Sequence, residues 1–310
     1  MINFRTYSNV TEIIIPDEIT LSTTNFSSMF MDMYNLKTVK IPNNITDIGY
    51  TFFYCNNLTN PPVCGNNVTN MYSTYSYCTN LTGSPACGPN VTDMTSTYLS
   101  CSNLTGSPVC GDKVTNMWHT YFGCTNLTGS PVCGDNVTDM ASTYHSCSNL
   151  TGSPVCGDNV TNMCYTYSGC TNLTGSPVCG DKVTNMWHTY FGCTNLTGSP
   201  VCGDNVIDMA STYRSCSNLF GNMYMYSSNI SSIASCFYGR NISNILNIYV
   251  QINSISLTTL MNSATSIYSL TGNSCTWTND TANNRYYNIA ENIYIYPVEN
   301  VISVREKNQD

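Results

Sequence analysis

Residues 104–126 read LTGSPVCGDKVTNMWHTYFGCTN, and residues 173–195 repeat these 23 letters without a change. Looser copies of the stretch follow one another along most of the chain. The regular copies each begin at a leucine 23 residues after the last, at Leu58, Leu81, Leu104, Leu127, Leu150, Leu173 and Leu196. Self-similarity at a fixed period is typical of architectures in which short coils stack on one another. The sequence therefore predicts a repeat solenoid with 23 residues in each coil.

The ends of the repeat array are irregular. Seven regular copies cover 58–218, whereas 1–57 and 219–310 hold degenerate copies. Terminal coils of a solenoid must shield the stacked core from water. We therefore expect a capping region at 1–57, and degenerate repeats with a C-terminal β cap or assembly region at 219–310. The whole chain then has about eleven or twelve coils.

A longer repeat of 69 residues is superimposed on the 23-residue repeat. Residues 127–149 differ from residues 196–218 at two positions, Thr138 against Ile207 and His145 against Arg214. The identical copies at 104–126 and 173–195 are 69 residues, or three coils, apart. This pattern indicates that a block of three coils was duplicated.

Aligned copies show which positions form the core. Apolar residues and Cys recur in register, and in one copy they are Leu104, Val109, Val114, Met117, Tyr121 and Cys124. The last four are spaced by 3, 4 and 3 residues, which favours a helical or 3₁₀ turn on one side of the coil. The Gly-x-Pro segment predicts a short β-strand on the other side. We expect the Asn that ends each copy to be buried and to bond the backbone of the next coil.

The composition excludes several classes of protein. Charged residues make up 9% of 310 residues and the net charge is −8, so the chain has no basic patch for nucleic acid. No run of about 18 apolar residues predicts a membrane span. The start of the chain lacks the apolar segment of a secretory signal peptide. We therefore expect synthesis in the cytoplasm and no insertion into a membrane.

The first copies resemble a known family. Residues 36–55 read LKTVKIPNNITDIGYTFFYC, which is similar to the BspA-like leucine-rich repeats of bacterial surface proteins. The central variant, with Leu-Thr-Gly-Ser-Pro-Val-Cys-Gly, looks like that of leucine-rich repeat proteins encoded by tailed phages of gut bacteria. The resemblance implies a right-handed leucine-rich-repeat coil on a virion or an extracellular surface. It also implies a role in adhesion or receptor binding, as in a tail fibre, and no enzymatic activity.

Most of the 18 cysteines fall in two columns. The column of Cys78 lies among the apolar positions, where a free thiol packs as a small hydrophobe. For the column of Cys64, a disulfide of the Cys78–Cys87 type at each coil junction is the alternative. The chain has no Cys-x₂-Cys pair and three His, so we expect no zinc site and no cofactor.

Acidic side chains recur in a column that contains Asp112 and Asp135. Aspartate is common at solvated turns, and this is the simpler interpretation. A row of Ca²⁺ sites is the alternative, because Ca²⁺ takes oxygen ligands. No Ser/His/Asp, phosphate-loop or paired-carboxylate arrangement is present, so no catalytic residue is predicted.

The variable columns carry the candidate binding residues. These columns are the pairs that follow Met and Tyr in each copy, and their notable members form two groups: Trp118, His119, Phe122 and His145, then Trp187, His188, Phe191 and Arg214. Most should face outward, because they alternate with buried positions. Exposed aromatic rings stack on sugars or anchor a protein partner. The alternative is that these rings fold over the surface and serve packing.

Three functions are compatible with these patterns. The first is recognition of a host glycan or surface protein by a virion or cell-surface protein. The second is a structural virion component, a fibre or decoration protein that assembles with other virion proteins, or with copies of itself, through 242–310. The third is an ice-binding solenoid, because a column of Thr that includes Thr120 and Thr143 predicts a surface ladder.

Overall fold

A computed structural model describes residues 4, 7, 9–15, 23–61, 64–227, 230–241, 243–251, 278–288 and 293–298. The chain divides into two compact units, Met1–Thr151 and Gly152–Asp310. Within each unit, consecutive copies of the repeat form coils that hydrogen-bond to one another through the backbone. Cys275 and the segments 252–277 and 299–310 of the predicted C-terminal region lie outside the described residues.

Two kinds of backbone hydrogen bond alternate along the segment between Met and Tyr. Ser96 N donates to Trp118 O of the next coil at 2.8 Å. The following residue, Thr97, donates instead to Met94 O of its own coil at 3.0 Å. The second unit repeats this alternation. Each coil is thereby tied both to itself and to its neighbour.

The helical or 3₁₀ turn predicted from the 3-4-3 spacing is wrong. The regular repeats, all within the described range apart from residues 62–63, contain no helix, and the 3₁₀ helix Thr281–Asn283 lies outside them. Two residues of each turn, four positions apart, have positive φ, as at Ser96 (53°) and Ser100 (58°). Left-handed residues cannot continue a right-handed helix. The carbonyl groups between them therefore face the neighbouring coil.

Regular strands lie towards the two ends of the chain. In the first unit, β1 (Glu12–Ile14) pairs in parallel with β2 (Thr38–Lys40). The second unit has a sheet of β3 (Val201–Cys202), β4 (Gly221–Met225), β5 (Leu246–Gln251), β6 (Thr278–Asp280), β7 (Arg285–Asn288) and β8 (Ile293–Val298). Its order is β3-β4-β5-β8-β7-β6, parallel as far as β8 and then antiparallel. The strand predicted from the alternation at 292–296 is β8.

The strand predicted around the Gly-x-Pro segment is present at β3 and absent from the described copies that begin at 81 to 173. In those copies a core tyrosine satisfies the backbone instead. Tyr121 Oη donates to Val109 O at 2.7 Å and accepts from Val109 N at 3.0 Å. Proline in this segment has no N–H to give to a ladder. Met223 stands at the proline position of the copy after β3, and there β3 pairs with β4.

The apolar columns form the core, with one exception. The Leu, second Val, Met, Tyr and Cys columns are buried, as predicted. Core rings stack from coil to coil, as in Tyr98 on Tyr121 and Tyr190 on Tyr213, each at 5.6 Å between ring centroids. The first Val column is only half-buried, and Val178 is 36% exposed. The proline before it is buried in its place.

The cysteines of the described chain are free thiols. The prediction for the column of Cys78 is confirmed, and the alternative of a Cys78–Cys87 disulfide is wrong. Cys78 is buried, and its thiol donates to Phe52 O of the preceding coil at 3.0 Å. Burial raises the pKa of the Cys78 thiol, which keeps the proton that this hydrogen bond requires. Burial also raises the pKa of Cys87, in the other column, to about 12.

The asparagine that ends each copy is exposed rather than buried, so this prediction is wrong. Asn126 Nδ2 donates to Asn103 Oδ1 at 3.4 Å, and Asn149 Nδ2 donates to Asn126 Oδ1 at 3.4 Å. The side chains thus pair with one another across coils, because each amide has both a donor and an acceptor.

Within the described residues, no helix has the length and apolar character needed to cross a membrane.

Candidate functional site

Both tryptophans of the repeats are held by an asparagine two positions earlier. Asn116 Oδ1 accepts from Trp118 N at 2.9 Å, and Asn185 Oδ1 accepts from Trp187 N at 2.9 Å. An Asn side chain that bonds the backbone two residues on stabilises a turn. The residue before each tryptophan is a buried methionine, so this turn leaves the indole at the surface.

Four predicted site residues of the first unit lie together, and we call Trp118, His119, Phe122 and His145 the first aromatic patch. The Trp118 and His119 rings stack at 4.3 Å between centroids with a 25° tilt. Phe122 meets His119 edge-on at 5.3 Å and stacks on His145 at 4.5 Å. Trp118 is 41% exposed, whereas the other three residues are half-buried. The patch is therefore a row of contacting rings with an accessible indole.

The predicted residues of the second unit also lie together, with two additions. We call Trp187, His188, Phe191, Arg214, Tyr165 and Tyr238 the second aromatic patch. Tyr165 contacts both Trp187 and His188, with centroids at 4.9 and 4.7 Å. The Arg214 guanidinium lies over the rings of Phe191 and Tyr238. Trp187 is 40% exposed, close to the value for Trp118.

Tyr165 and Tyr238 were not among the predicted site residues. Tyr165 occupies the column of His188 one coil earlier, so looking for aromatic residues along each column would have found it. Tyr238 occupies the column of Arg214 in an irregular copy that has lost its Pro and Cys. The change in repeat length there hides the correspondence.

Two of the three patch histidines, His119 and His188, resist protonation. Burial lowers the pKa of His119, and the nearby Asp139 carboxylate opposes this effect. Burial also lowers the pKa of His188, the positive charge of Arg214 lowers it further, and Asp208 raises it. Both imidazoles are therefore neutral at pH 7, and they act as flat aromatic surfaces beside the indoles.

A third cluster of aromatic residues, in addition to the two predicted groups, lies nearer the start of the chain. It consists of Tyr50, Phe53, Tyr54, Tyr72 and Tyr77, residues of the same variable columns. Tyr54 stacks on Tyr77 at 4.6 Å, and Tyr50 lies 5.1 Å from Tyr72. A hydrogen bond between the Tyr72 and Tyr50 hydroxyls raises the pKa of Tyr72. This cluster contains no tryptophan, histidine or arginine.

The threonine ladder predicted for an ice-binding surface is wrong. Thr120 and Thr143 are buried, like the others of their column. Thr143 Oγ1 donates to Met140 O in its own coil and lies 2.8 Å from Met117 O of the preceding coil. The hydroxyls therefore bond the backbone inside the coil, and they offer no surface to ice.

Small residues in the variable columns are also buried, contrary to the expectation that most would face outward. Examples are Ser96, Ser142 and Ser168. In the regular copies, the exposed side chains of these columns are Trp118 and Trp187, and other small residues such as Ser100 and Ser146 are half-buried.

The described residues contain no group of three or more His, Cys, Asp or Glu side chains that could hold a metal ion. The asparagine after Asp135 bonds the preceding coil, with Asn136 Nδ2 donating to Asp112 O at 2.8 Å. The acidic column therefore lies at a turn whose backbone is tied by side-chain amides.

Comparisons with known proteins returned two structural similarities. No protein family profile matches the chain, and no curated protein matches its sequence. A leucine-rich repeat protein from Bacteroides ovatus is 14% identical, with a TM-score of 0.41 over 81% of this chain and 80% of that one. A leucine-rich cell surface protein from Faecalibacterium prausnitzii is 13% identical, with a TM-score of 0.38 over 79% and 83%. Neither similarity is close enough to transfer a fold or a function to this chain.

Proposed function

We propose that this chain is a non-enzymatic recognition protein of a virion or a bacterial surface. In this proposal the repeats form a leucine-rich-repeat solenoid whose aromatic patches bind a saccharide or a surface protein of a host cell. The observation that carries the proposal is the exposure of both repeat tryptophans, 41% for Trp118 and 40% for Trp187. An exposed indole is costly to leave in water and is typical of binding surfaces.

The tryptophans are not needed to complete the coil. Ala141 and Ala210 occupy the same column in other copies, and the main-chain turn is kept there. Asp139 Oδ1 accepts from Ala141 N at 2.8 Å, as Asn116 does from Trp118. A packing role alone therefore does not explain why two coils carry an indole.

The test is a binding assay on gut bacterial cells and on their purified surface glycans. The variant Trp118→Ala with Trp187→Ala uses residues that the fold already accepts at these positions. We expect the wild type to bind saturably and the double variant to lose most of this binding, because stacking on an indole supplies much of the contact.

The matched control is Phe220→Thr. Phe220 is 49% exposed outside the patches, and Thr197 stands at its position in the preceding copy. We expect this variant to bind like the wild type. Equal binding by wild type and double variant, with both chains folded by circular dichroism, would contradict the proposal and favour the structural virion component.

A further inference from the structure

The two aromatic patches differ in charge at one position. Arg214 stands in the second patch where His145 stands in the first, one of two differences between residues 196–218 and 127–149. The other difference, Thr138 against Ile207, lies outside both patches. The second patch thus carries a guanidinium at a position where the related copy carries an imidazole.

The Arg214 guanidinium is held between two rings. Its Cζ lies 5.6 Å from the centroid of Phe191 and 4.7 Å from the centroid of Tyr238. Stacking of this kind restrains the planar group through its face and leaves its N–H donors available at the edge. Within the described part of the chain, no oxygen forms an ion pair or hydrogen bond with the Arg214 side chain. The group is therefore a positioned cation whose donors are unused.

The neighbours of Arg214 do not supply its counter-charge. Asp208, the carboxylate that acts on His188, accepts from Ala210 N at 2.8 Å. His188 is a neutral ring at pH 7, and its Nδ1 is buried without a hydrogen-bond partner in the described residues. Contacts run without a break from Trp187 through His188 and Phe191 to Arg214, with successive separations of 4.9, 5.4 and 5.6 Å.

We infer that the second aromatic patch binds an anionic saccharide, with a sugar ring against Trp187 and the acidic group paired with Arg214. This inference rests on the proposed function and names the chemical class of its ligand. A guanidinium matches a carboxylate or sulfate through two parallel hydrogen bonds. Because two rings already hold Arg214, little side-chain freedom is lost when the anion binds. The first patch lacks this cation and accepts neutral sugar rings.

The experiment measures binding of the full chain to matched pairs of oligosaccharides. One pair is oligogalacturonate and its methyl ester, and the other is a sulfated galactan oligomer and its desulfated form. Arg214→His gives the second patch the residue of the first, and His145→Arg makes the reciprocal change. Each substitution installs a residue that the equivalent coil already carries, so folding should be preserved.

We expect the wild type to bind at least one acidic oligomer about tenfold more tightly than its neutral counterpart, the effect of one charged hydrogen-bonded pair. Arg214→His should remove this preference, because the acidic oligomer loses the cation that pairs with it, whereas Phe220→Thr, outside the patches, should keep the preference. Adding His145→Arg to that variant should restore part of the preference. The pair that responds identifies carboxylate or sulfate as the anion.

Two outcomes overturn the inference: a wild type with no preference for an acidic member, and a preference that survives Arg214→His. Either outcome is compatible with the proposed function if the tryptophan double variant still loses cell binding. If the double variant binds cells like the wild type, the proposed function fails instead.

Discussion

Residues 127–149 and 196–218 are nearly the same sequence, but they differ in structure at one corner of the coil. In the first copy, Val132 N donates to Tyr144 Oη at 3.0 Å, and the hydroxyl donates back to Val132 O at 2.7 Å. In the second copy, Val201 belongs to β3 and pairs with β4. The hydroxyl of Tyr213 is then buried without a partner among the described residues. The coil that follows 196–218 has Met223 at the proline position, and this difference determines which of the two arrangements forms.

The identical copies 104–126 and 173–195 show the same effect at the surface. The Trp118 and His119 centroids are 4.3 Å apart, whereas those of Trp187 and His188 are 4.9 Å apart. Tyr165 packs against both rings in the second unit, and Ser96 stands at its position in the first. The sequence of a coil therefore fixes the backbone of its patch, whereas residues of the neighbouring coils determine which further side chains contact the patch.

Between copies 127–149 and 196–218, the largest difference in the effect of a substitution on stability is expected at Gly134 and Gly203. A Cβ on Gly203 would lie 2.6 Å from the backbone oxygen of Gly180, whereas one on Gly134 would lie 2.9 Å from Cys110 Sγ. A thiol can rotate, but a stacked backbone carbonyl cannot. We expect Gly203→Ala to lower the free energy of unfolding by about 3 kcal/mol and Gly134→Ala by about 1 kcal/mol in urea titrations.

The clash between a Cβ on residue 134 and Cys110 Sγ can be tested by removing the sulfur. Cys110→Ala should make Gly134→Ala less costly than it is alone, as a double-mutant cycle would show. Equal losses for the two glycine variants would mean that the corner of the coil relaxes equally well in both copies.

A smaller difference in stability is expected between substitutions of Tyr144 and of Tyr213. Tyr144→Phe leaves the N–H and carbonyl of Val132 without a partner, so it should lower the free energy of unfolding by about 1–3 kcal/mol. Tyr213→Phe removes a hydroxyl that has no partner, so it should cost nothing or stabilise the chain. Urea unfolding of both variants measures the contrast, and a larger loss at Tyr213 would refute it.

The smallest expected difference is between the pKa of His119 in the first patch and the pKa of His188 in the second. The pKa of His188 is lowered by burial and by Arg214, so Arg214→Gln should raise it while the pKa of His119 stays the same. NMR titration of both imidazoles measures these shifts. A His188 pKa that does not change would show that Arg214 exerts no electrostatic effect on the ring.

The lowered pKa values of His119 and His188 also predict how the stability of the fold changes with pH. Both histidines have a lower pKa in the folded chain than the unfolded value of about 6.5, so the unfolded state takes up protons first as the pH falls. Their contribution to stability is present above that pH and is lost as the pH falls from about 7 towards 5. Replacing both with Ser, the residue of Ser142 and Ser211 in this column, should flatten thermal stability over this range.

Sequence patterns predicted the core better than they predicted the backbone. Leu104, Met117 and Cys124 are buried, because a position that recurs as apolar in every coil can only be sheltered by stacking. The spacing from Val114 to Cys124 predicts a helical turn, but His119 (56°) and Gly123 (72°) between them have left-handed φ values. Recurring Ser and Gly four positions apart were the available signal, since Gly adopts positive φ without strain.

The amino-acid sequence by itself determined the period, most of the buried columns and four of the residues that meet in each aromatic patch. It could do so because register along a repeat places equivalent positions of neighbouring coils side by side. Only the tertiary structure decided that Thr143 is buried, that Val201 is in a strand and that Arg214 lies between two rings. Those outcomes depend on the groups that the next coil offers, and identical or nearly identical copies here have different neighbours.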